Sequence, residues 1–367
     1  MQQPPMKIAL HYEMEVDPRS YTEYDIWHNV LEQIVAGERA GFWGAFSVEH
    51  HFNPGYSHVP APEILLAAAS QRTKTIRLGT AVRLLPLNDP IHTAESFASI
   101  DILSNGRLEF GVGRGVSEVE FEIWKQPSPY GETAAANKEL FLEYCDLVRK
   151  CWTEENVTFH GKYYQVTSPV TIVPKPLQKP APRMWASTTS RTSQEQNLGR
   201  GMHMLTGTIL GGFENITGDT ASAREVWKKF GHDRREALEV GCMVPLFCAK
   251  TTREAMVMVR PHHAYYIEQL CRFFAPRDPE ERRKRLAAIP PGRKPYWEQP
   301  PSWEQALSER MIIVGSPDDC IRQIREYERA GITLILGLMQ MGGIAHDKVM
   351  RSIELMGREV IPHLAKG

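Results

Sequence analysis

Three short stretches of this 367-residue chain carry side chains suited to moving protons or holding anions. Glu49-His50-His51-Phe52 sets two imidazoles beside a carboxylate. Such histidines exchange protons near neutral pH, or ligate a metal through a neutral nitrogen. Gly111-Val112-Gly113-Arg114-Gly115 joins glycines, which let backbone N–H groups approach an anion, to a permanently charged planar fork suited to phosphate. It lacks the third glycine of a dinucleotide fingerprint and follows a fourth strand, so it is a generic phosphate loop. Ser187 to Ser193 (STTSRTS) supplies a helix cap and, with the free N–H groups of that helix, a second anion site; both readings stay open. His11, His50, His51 and His203 also keep a metal-dependent barrel hydrolase open, although no His-x-His lies on the first strand and no aspartate ends the last. His262-His263 fall within a helical stretch without ligand spacing.

These residues matter because of where the elements put them. Strand-like runs at Lys7–His11, Phe42–Val48, Ile76–Leu85 and Leu108–Val112 alternate with helical patterns at Tyr24–Ala40, Pro62–Arg72 and Ile91–Leu103. Gly41 sits where a helix-ending glycine belongs, and Pro62 opens a helix. The rhythm resumes with strands at Arg183–Ala186, His203–Thr206, Glu239–Phe247 and Ile332–Leu338, and helices at Ser190–Arg200, Thr220–Phe230, from Thr252, at Pro317–Ala330 and at Val349–His363. Eight strands in βα order predict an α/β TIM (β/α)8 barrel, with residues 1–367 as one domain. Two insertion segments break the rhythm, at about 156–182 (with the hairpin-like VTFHGKYYQV) and 274–303 (with PPGRKPYWEQPP), the second a candidate lid walled by Tyr296 and Trp297. Active sites of such barrels lie at the strands' C-terminal ends, where all three motifs fall.

Composition narrows the partners. Lys and Arg number 43 against 44 Asp and Glu, so no basic excess points to nucleic acid. The mixed-sign run Arg277–Arg285 suits a solvated helix face. No apolar run approaches the roughly 18 residues of a membrane span. The six cysteines include no C-x-x-C pair and suit a reducing, cytoplasmic setting.

Read together, AGFWGAFSVEHHF (40–52), IRLGTAVRLLPLNDPIHTAESFASIDILSNGRLEFGVGRG (76–115), WASTTSRTSQEQNLGRG (185–201) and the tail VGSPDDCIRQIREYERAGI with LMGREVIPHL resemble the luciferase-like, flavin-dependent monooxygenase family over most of the chain. The resemblance implies reduced FMN as cosubstrate, O2, a C4a-(hydro)peroxyflavin, a small organic substrate, a separate NAD(P)H:flavin reductase and a homodimer. It makes His50, flanked by Glu49 and His51, the catalytic candidate. Arg114 and Gly113, with Thr189, Ser190 and Ser193, become the phosphate site. Ala81-Val82 matches the non-prolyl cis peptide facing the flavin ring. The sequence departs from luciferase at Gly113, where luciferase has cysteine, and at Thr189, where it has glutamate. A deazaflavin-dependent dehydrogenase of the same superfamily and a non-catalytic flavin-binding protein are the related alternatives.

Overall fold

The computed structural model describes residues 4–188, 190–209, 212–287 and 295–364. Eight parallel strands close into a barrel: β1 (Lys7–Tyr12), β2 (Gly44–Ser47), β3 (Arg77–Thr80), β4 (Leu108–Gly113), β5 (Arg183–Ser187), β6 (His203–Gly207), β7 (Val240–Cys248) and β8 (Leu334–Leu338). Each pairs with its sequence neighbour, and β8 returns to β1 in the register Leu336↔Ala9. Ala9, Phe46, Trp185, Leu205, Leu334 and Leu336 form a buried cluster of their own, the packing layer a barrel of this size needs.

The first helices start and stop where their chemistry dictates. In α1 (Glu23–Arg39), Thr22 and Asp25 make a reciprocal capping box, and Gly41 follows in the left-handed conformation. Helix α2 (Pro62–Arg72) opens on proline, and α3 (Pro90–Leu103) adds an Asp89 cap that accepts from His92 N–H. Between β4 and β5 lie α4 (Glu118–Trp124) and the 20-residue α5 (Ala134–Thr153). Neither was anticipated by the sequence analysis, although Leu140, Phe141, Leu147, Val148 and Cys151 of α5 carry a buried helical stripe. The rest of the helical layer comprises α6 (Arg191–Gly199), α7 (Glu214–Lys229), α8 (Thr252–Phe274), α9 (Pro279–Ala287), α10 (Trp303–Ser308), α11 (Pro317–Arg329) and α12 (His346–Leu355).

Three expectations change in detail. The third strand does not run unbroken over Ile76–Leu85: it stops at Thr80, and Arg83–Leu84 resume pairing against Val112–Gly113. The closing helix begins at His346 and passes through a π turn at Met356–Val360. Strand β7 runs past its barrel neighbours to pair with a short strand, Ile313–Gly315, that the sequence analysis did not identify. The first insertion holds the expected hairpin, Val157–His160 with Gln165–Val170. The second holds α9, the mixed-charge helix, and then Trp297 packed against the core under the Arg282 guanidinium; its residues 288–294 lie outside the described ones. All six cysteines are buried and unpaired.

The two ends of the barrel are chemically unlike. At the strands' N-terminal end, the fully buried Glu109 accepts from Trp185 Nε1 at 2.7 Å and pairs with Arg77, with Arg183 3.9 Å away. Lys7 pairs with Glu239 and lies over Trp43. Each of these carboxylates is in contact with an arginine or lysine. The opposite end holds buried carboxylates with none at that range among the described residues.

Candidate active site

At the C-terminal end of β2, the three consecutive residues Glu49, His50 and His51 go to different tasks. Glu49 is buried and fully engaged: it accepts from Leu84 N–H (2.7 Å) and Asn88 Nδ2 (2.8 Å), and Arg83 lies 3.3 Å away. It thereby ties β2 to the segment after β3. His51 contacts this carboxylate through Nε2 at 3.1 Å and packs edge-on against Trp124 of α4. His50 turns the other way. Its Nδ1 lies 3.6 Å from Glu120 and makes no hydrogen bond, and its ring packs on Phe273 (4.6 Å) and Tyr56 (5.4 Å).

Glu120 is the residue the sequence analysis missed. It is wholly buried on α4, accepts from His51 N–H at 2.8 Å and has an Oε2 with no partner. A buried carboxylate beside an imidazole orients the ring and stabilises its protonated form. No periodicity singles it out, because its role depends on α4 folding back over the end of β2. That helix starts four residues after Arg114, so the histidine and the phosphate loop are joined through it.

Arg114 directly follows β4 and is half-buried, and burial lowers its pKa. Its backbone carbonyl is braced by Asn137 of α5 (3.4 Å), and the Tyr130 ring stands nearby, covered in turn by the Arg285 guanidinium of α9 at 3.6 Å. Arg114 has neither a carboxylate nor a hydrogen-bond partner for its guanidinium among the described residues. A half-buried, unneutralised guanidinium is suited to an anionic ligand. The β4–β5 register runs to Val112↔Ala186, so the Arg114 and Ser187–Ser193 loops leave neighbouring strand ends.

In the second loop, Ser190 and Ser193 cap α6 reciprocally: Ser190 Oγ accepts from Ser193 N–H (3.3 Å) and Ser193 Oγ from Ser190 N–H (3.0 Å). The capping reading therefore holds for these two hydroxyls, and any anion there would meet the first-turn N–H groups of α6. Thr189 lies outside the described residues.

The Ala81–Val82 peptide is cis, the bond that the resemblance marks. Both side chains face the barrel interior. Val82 explains Gly113: a Cβ at 113 would fall well inside contact with Val82 Cγ2. Gly111 is constrained harder, since a Cβ there would strike the Thr80 backbone carbonyl. Among the described residues no three His, Cys, Asp or Glu side chains are grouped to hold a metal ion. His203, a candidate ligand by sequence, stacks on Trp227 and lies 3.5 Å from Glu236.

Residues 6–334 match the model of the luciferase-like monooxygenases. The chain belongs to this family. Among its relatives, the oxygenase component of a flavin-dependent trigonelline monooxygenase from Acinetobacter baylyi is 23% identical over 357 residues, covering 97% of this chain and 95% of that one. An F420-dependent glucose-6-phosphate dehydrogenase from Segniliparus rotundus is 25% identical over 349 residues (91% and 93%). An uncharacterised protein of Sinorhizobium fredii is 35% identical over 188 residues, a match spanning about half of each chain (51%). The luciferase-like fold is shared with the oxygenating constituent of 3,6-diketocamphane monooxygenase from Pseudomonas putida, solved with FMN (TM-score 0.75, 19% identity, 98% of each chain covered). The family thus contains both flavin-dependent oxygenases and F420-dependent dehydrogenases.

Proposed function

We propose that this protein is the oxygenase of a two-component system, taking reduced FMN from a separate NAD(P)H:flavin reductase and using O2 to oxygenate a small organic substrate. The observation that carries the reading is Arg114, a half-buried guanidinium with no counter-ion among the described residues, on the loop after β4, the strand that pairs with the one leading to α6. That set fits a phosphate monoester. When bound, reduced FMN supplies the electrons that activate dioxygen. The chain does the rest. Arg114 and the α6 N–H groups anchor the phosphate; Ala81, Val82 and Gly113 offer the apolar surface for the ring system. His50, with Glu120 behind its Nδ1, holds or accepts a proton at Nε2, while Tyr56 and Phe273 keep bulk water from that nitrogen.

A reductase partner follows from a chain whose glycine loop is no dinucleotide fingerprint. Ile64, Ile102 and Leu103, exposed on α2 and α3, suit the pairing of two copies into a homodimer. The second reading, an F420-dependent dehydrogenase, is favoured by the relative from Segniliparus rotundus. The test is anaerobic titration with reduced FMN and with reduced F420, followed by isotopically labelled O2 and a substrate panel. Tight binding of reduced FMN and label recovered in product is the expected result. Preference for F420, with turnover indifferent to oxygen, would overturn it.

A further inference from the structure

The most conspicuous unsatisfied polar groups of this chain do not belong to the residues used so far. Beyond β1 the chain reads Glu13-Met14-Glu15, and both carboxylates are buried, each 1% exposed. Among the described residues, neither oxygen of Glu15 has a hydrogen-bond partner of normal geometry, and nor does Glu13 Oε2. Met14 between them adopts φ 56°, a left-handed conformation that strains a non-glycine residue.

Among the described residues no lysine or arginine pairs with either carboxyl group. Asp17, the next acid along, is taken by Arg19 in a two-pronged contact (2.9 and 2.8 Å). His11 comes no closer than 3.9 Å to Glu13, and its Nδ1 has no partner. The Gly342 backbone N–H is the donor that favours the charged form of Glu15 from the β8 side. Loss of water on burial, then repulsion by Glu13, pushes Glu15 well above the usual carboxylate range. Two adjacent buried carboxyl groups without a cation therefore cannot both carry charge cheaply.

The surrounding wall is aromatic. Tyr56 and Tyr266 stack at 6.3 Å, and burial, then the neighbouring Glu13, raises the pKa of both hydroxyls. Tyr266 is fully buried, and its hydroxyl makes no hydrogen bond of normal geometry. Phe273 stacks on Tyr56 at 4.7 Å and meets the His50 ring edge-on. The acidic cluster and the proposed catalytic histidine therefore share one aromatic wall, made by Tyr266 and Phe273 of the C-terminal half of α8 and Tyr56 of the loop after β2. Carboxylates to supply charge and ring faces to supply quadrupole are what a cationic nitrogen needs.

We propose that Glu13, Glu15, Tyr56 and Tyr266 bind a cationic nitrogen, a protonated amine or quaternary ammonium, on the substrate oxygenated beside His50. The assignment rests on the reading of His50 as the reaction centre. It requires no metal and no redox step of its own. A cation beside Glu15 favours its ionised form, so binding releases a proton and strengthens as pH rises.

Calorimetric titration of the whole protein with choline, with dimethylaminoethanol as the protonated-amine probe and with 3,3-dimethylbutan-1-ol, the neutral carbon isostere of choline, tests this. One or both cations should bind at least about tenfold more tightly than the alcohol, the order of a desolvated cation–π contact; which of the two is preferred identifies the nitrogen class. Glu15→Gln, close to isosteric with the protonated carboxyl and so expected to fold, should abolish the preference, and Glu13→Gln should weaken it. Binding of reduced FMN should stay within about twofold in both. Equal affinity for choline and the alcohol in the wild type, or a preference that survives both variants, would overturn the cation site. Loss of reduced-FMN binding by the wild type with the cation preference intact would instead overturn the flavin reading and leave the cation site standing.

Discussion

Arg114 and Glu120 stand six residues apart and can be separated by experiment. Arg114→Met removes a charged hydrogen-bonding group worth about 1.5–3 kcal/mol, so reduced FMN should bind roughly 10- to 100-fold more weakly. Riboflavin, which lacks the phosphate, should bind the variant and the wild type alike in anaerobic fluorescence titration. Glu120→Ala should cost about 10- to 100-fold in turnover, the usual penalty for losing a group that orients a functional histidine. Glu120→Gln keeps an acceptor for His51 N–H and should recover the fold's stability but not the full rate. Equal rates in Gln and wild type would make Glu120 a structural brace alone. Glu15 acts on stability with the opposite sign to an ordinary ion-paired carboxylate. Its folded-state pKa is raised, so the native state holds a proton that the unfolded chain releases above about pH 4. Stability is therefore lost as pH rises from there through the folded value. Glu15→Gln should melt higher than wild type at neutral pH and converge with it below about pH 4.

At the scale of elements, the close approach of β3 and β4 decides which glycines are replaceable. Gly111 meets backbone, which cannot move without breaking the strand pair; Gly111→Ala should yield no soluble protein. Gly113 meets the Val82 side chain, so Gly113→Ala should cost about 1–3 kcal/mol in chemical denaturation. Val82→Ala in the same chain should recover much of that loss; no recovery would mean that the backbone, not Val82, is the obstacle. The sequence showed the strand from Ile76 and the glycines around residue 112, but not their reason, because the reason lies across the strand pair. Likewise α4 is short and its buried face includes a glutamate, a pattern that reads as surface until the helix is seen to close over His51.

For the whole molecule, the barrel divides its charges between the two ends. Glu109 joins Trp185, Arg77 and Arg183 at the closed end, away from all three motifs. Glu109→Ala leaves the partly exposed Arg77 and Arg183 without their carboxylate and the buried Trp185 indole N–H without its acceptor, and should cost about 1–3 kcal/mol of stability. Reduced-FMN affinity of the folded fraction should be unchanged; a large fall would mean that the two ends are coupled.

Periodicity alone was enough to specify eight strands in βα order, because alternating strand and helix patterns with short links close in few ways. Residue types alone marked His50, Arg114 and the Ser187–Ser193 loop, since their chemistry is local. Tertiary structure decided how those groups are shared out: Glu49 became a structural tie, Ser190 and Ser193 turned inward to cap α6, and Arg114 kept its charge free. It also brought Glu13 and Glu15 under the aromatic face of α8, some 250 residues on in sequence. Burial and lost hydration make those two carboxylates demanding, and hydration is a property of the folded surroundings that no spacing along the chain records.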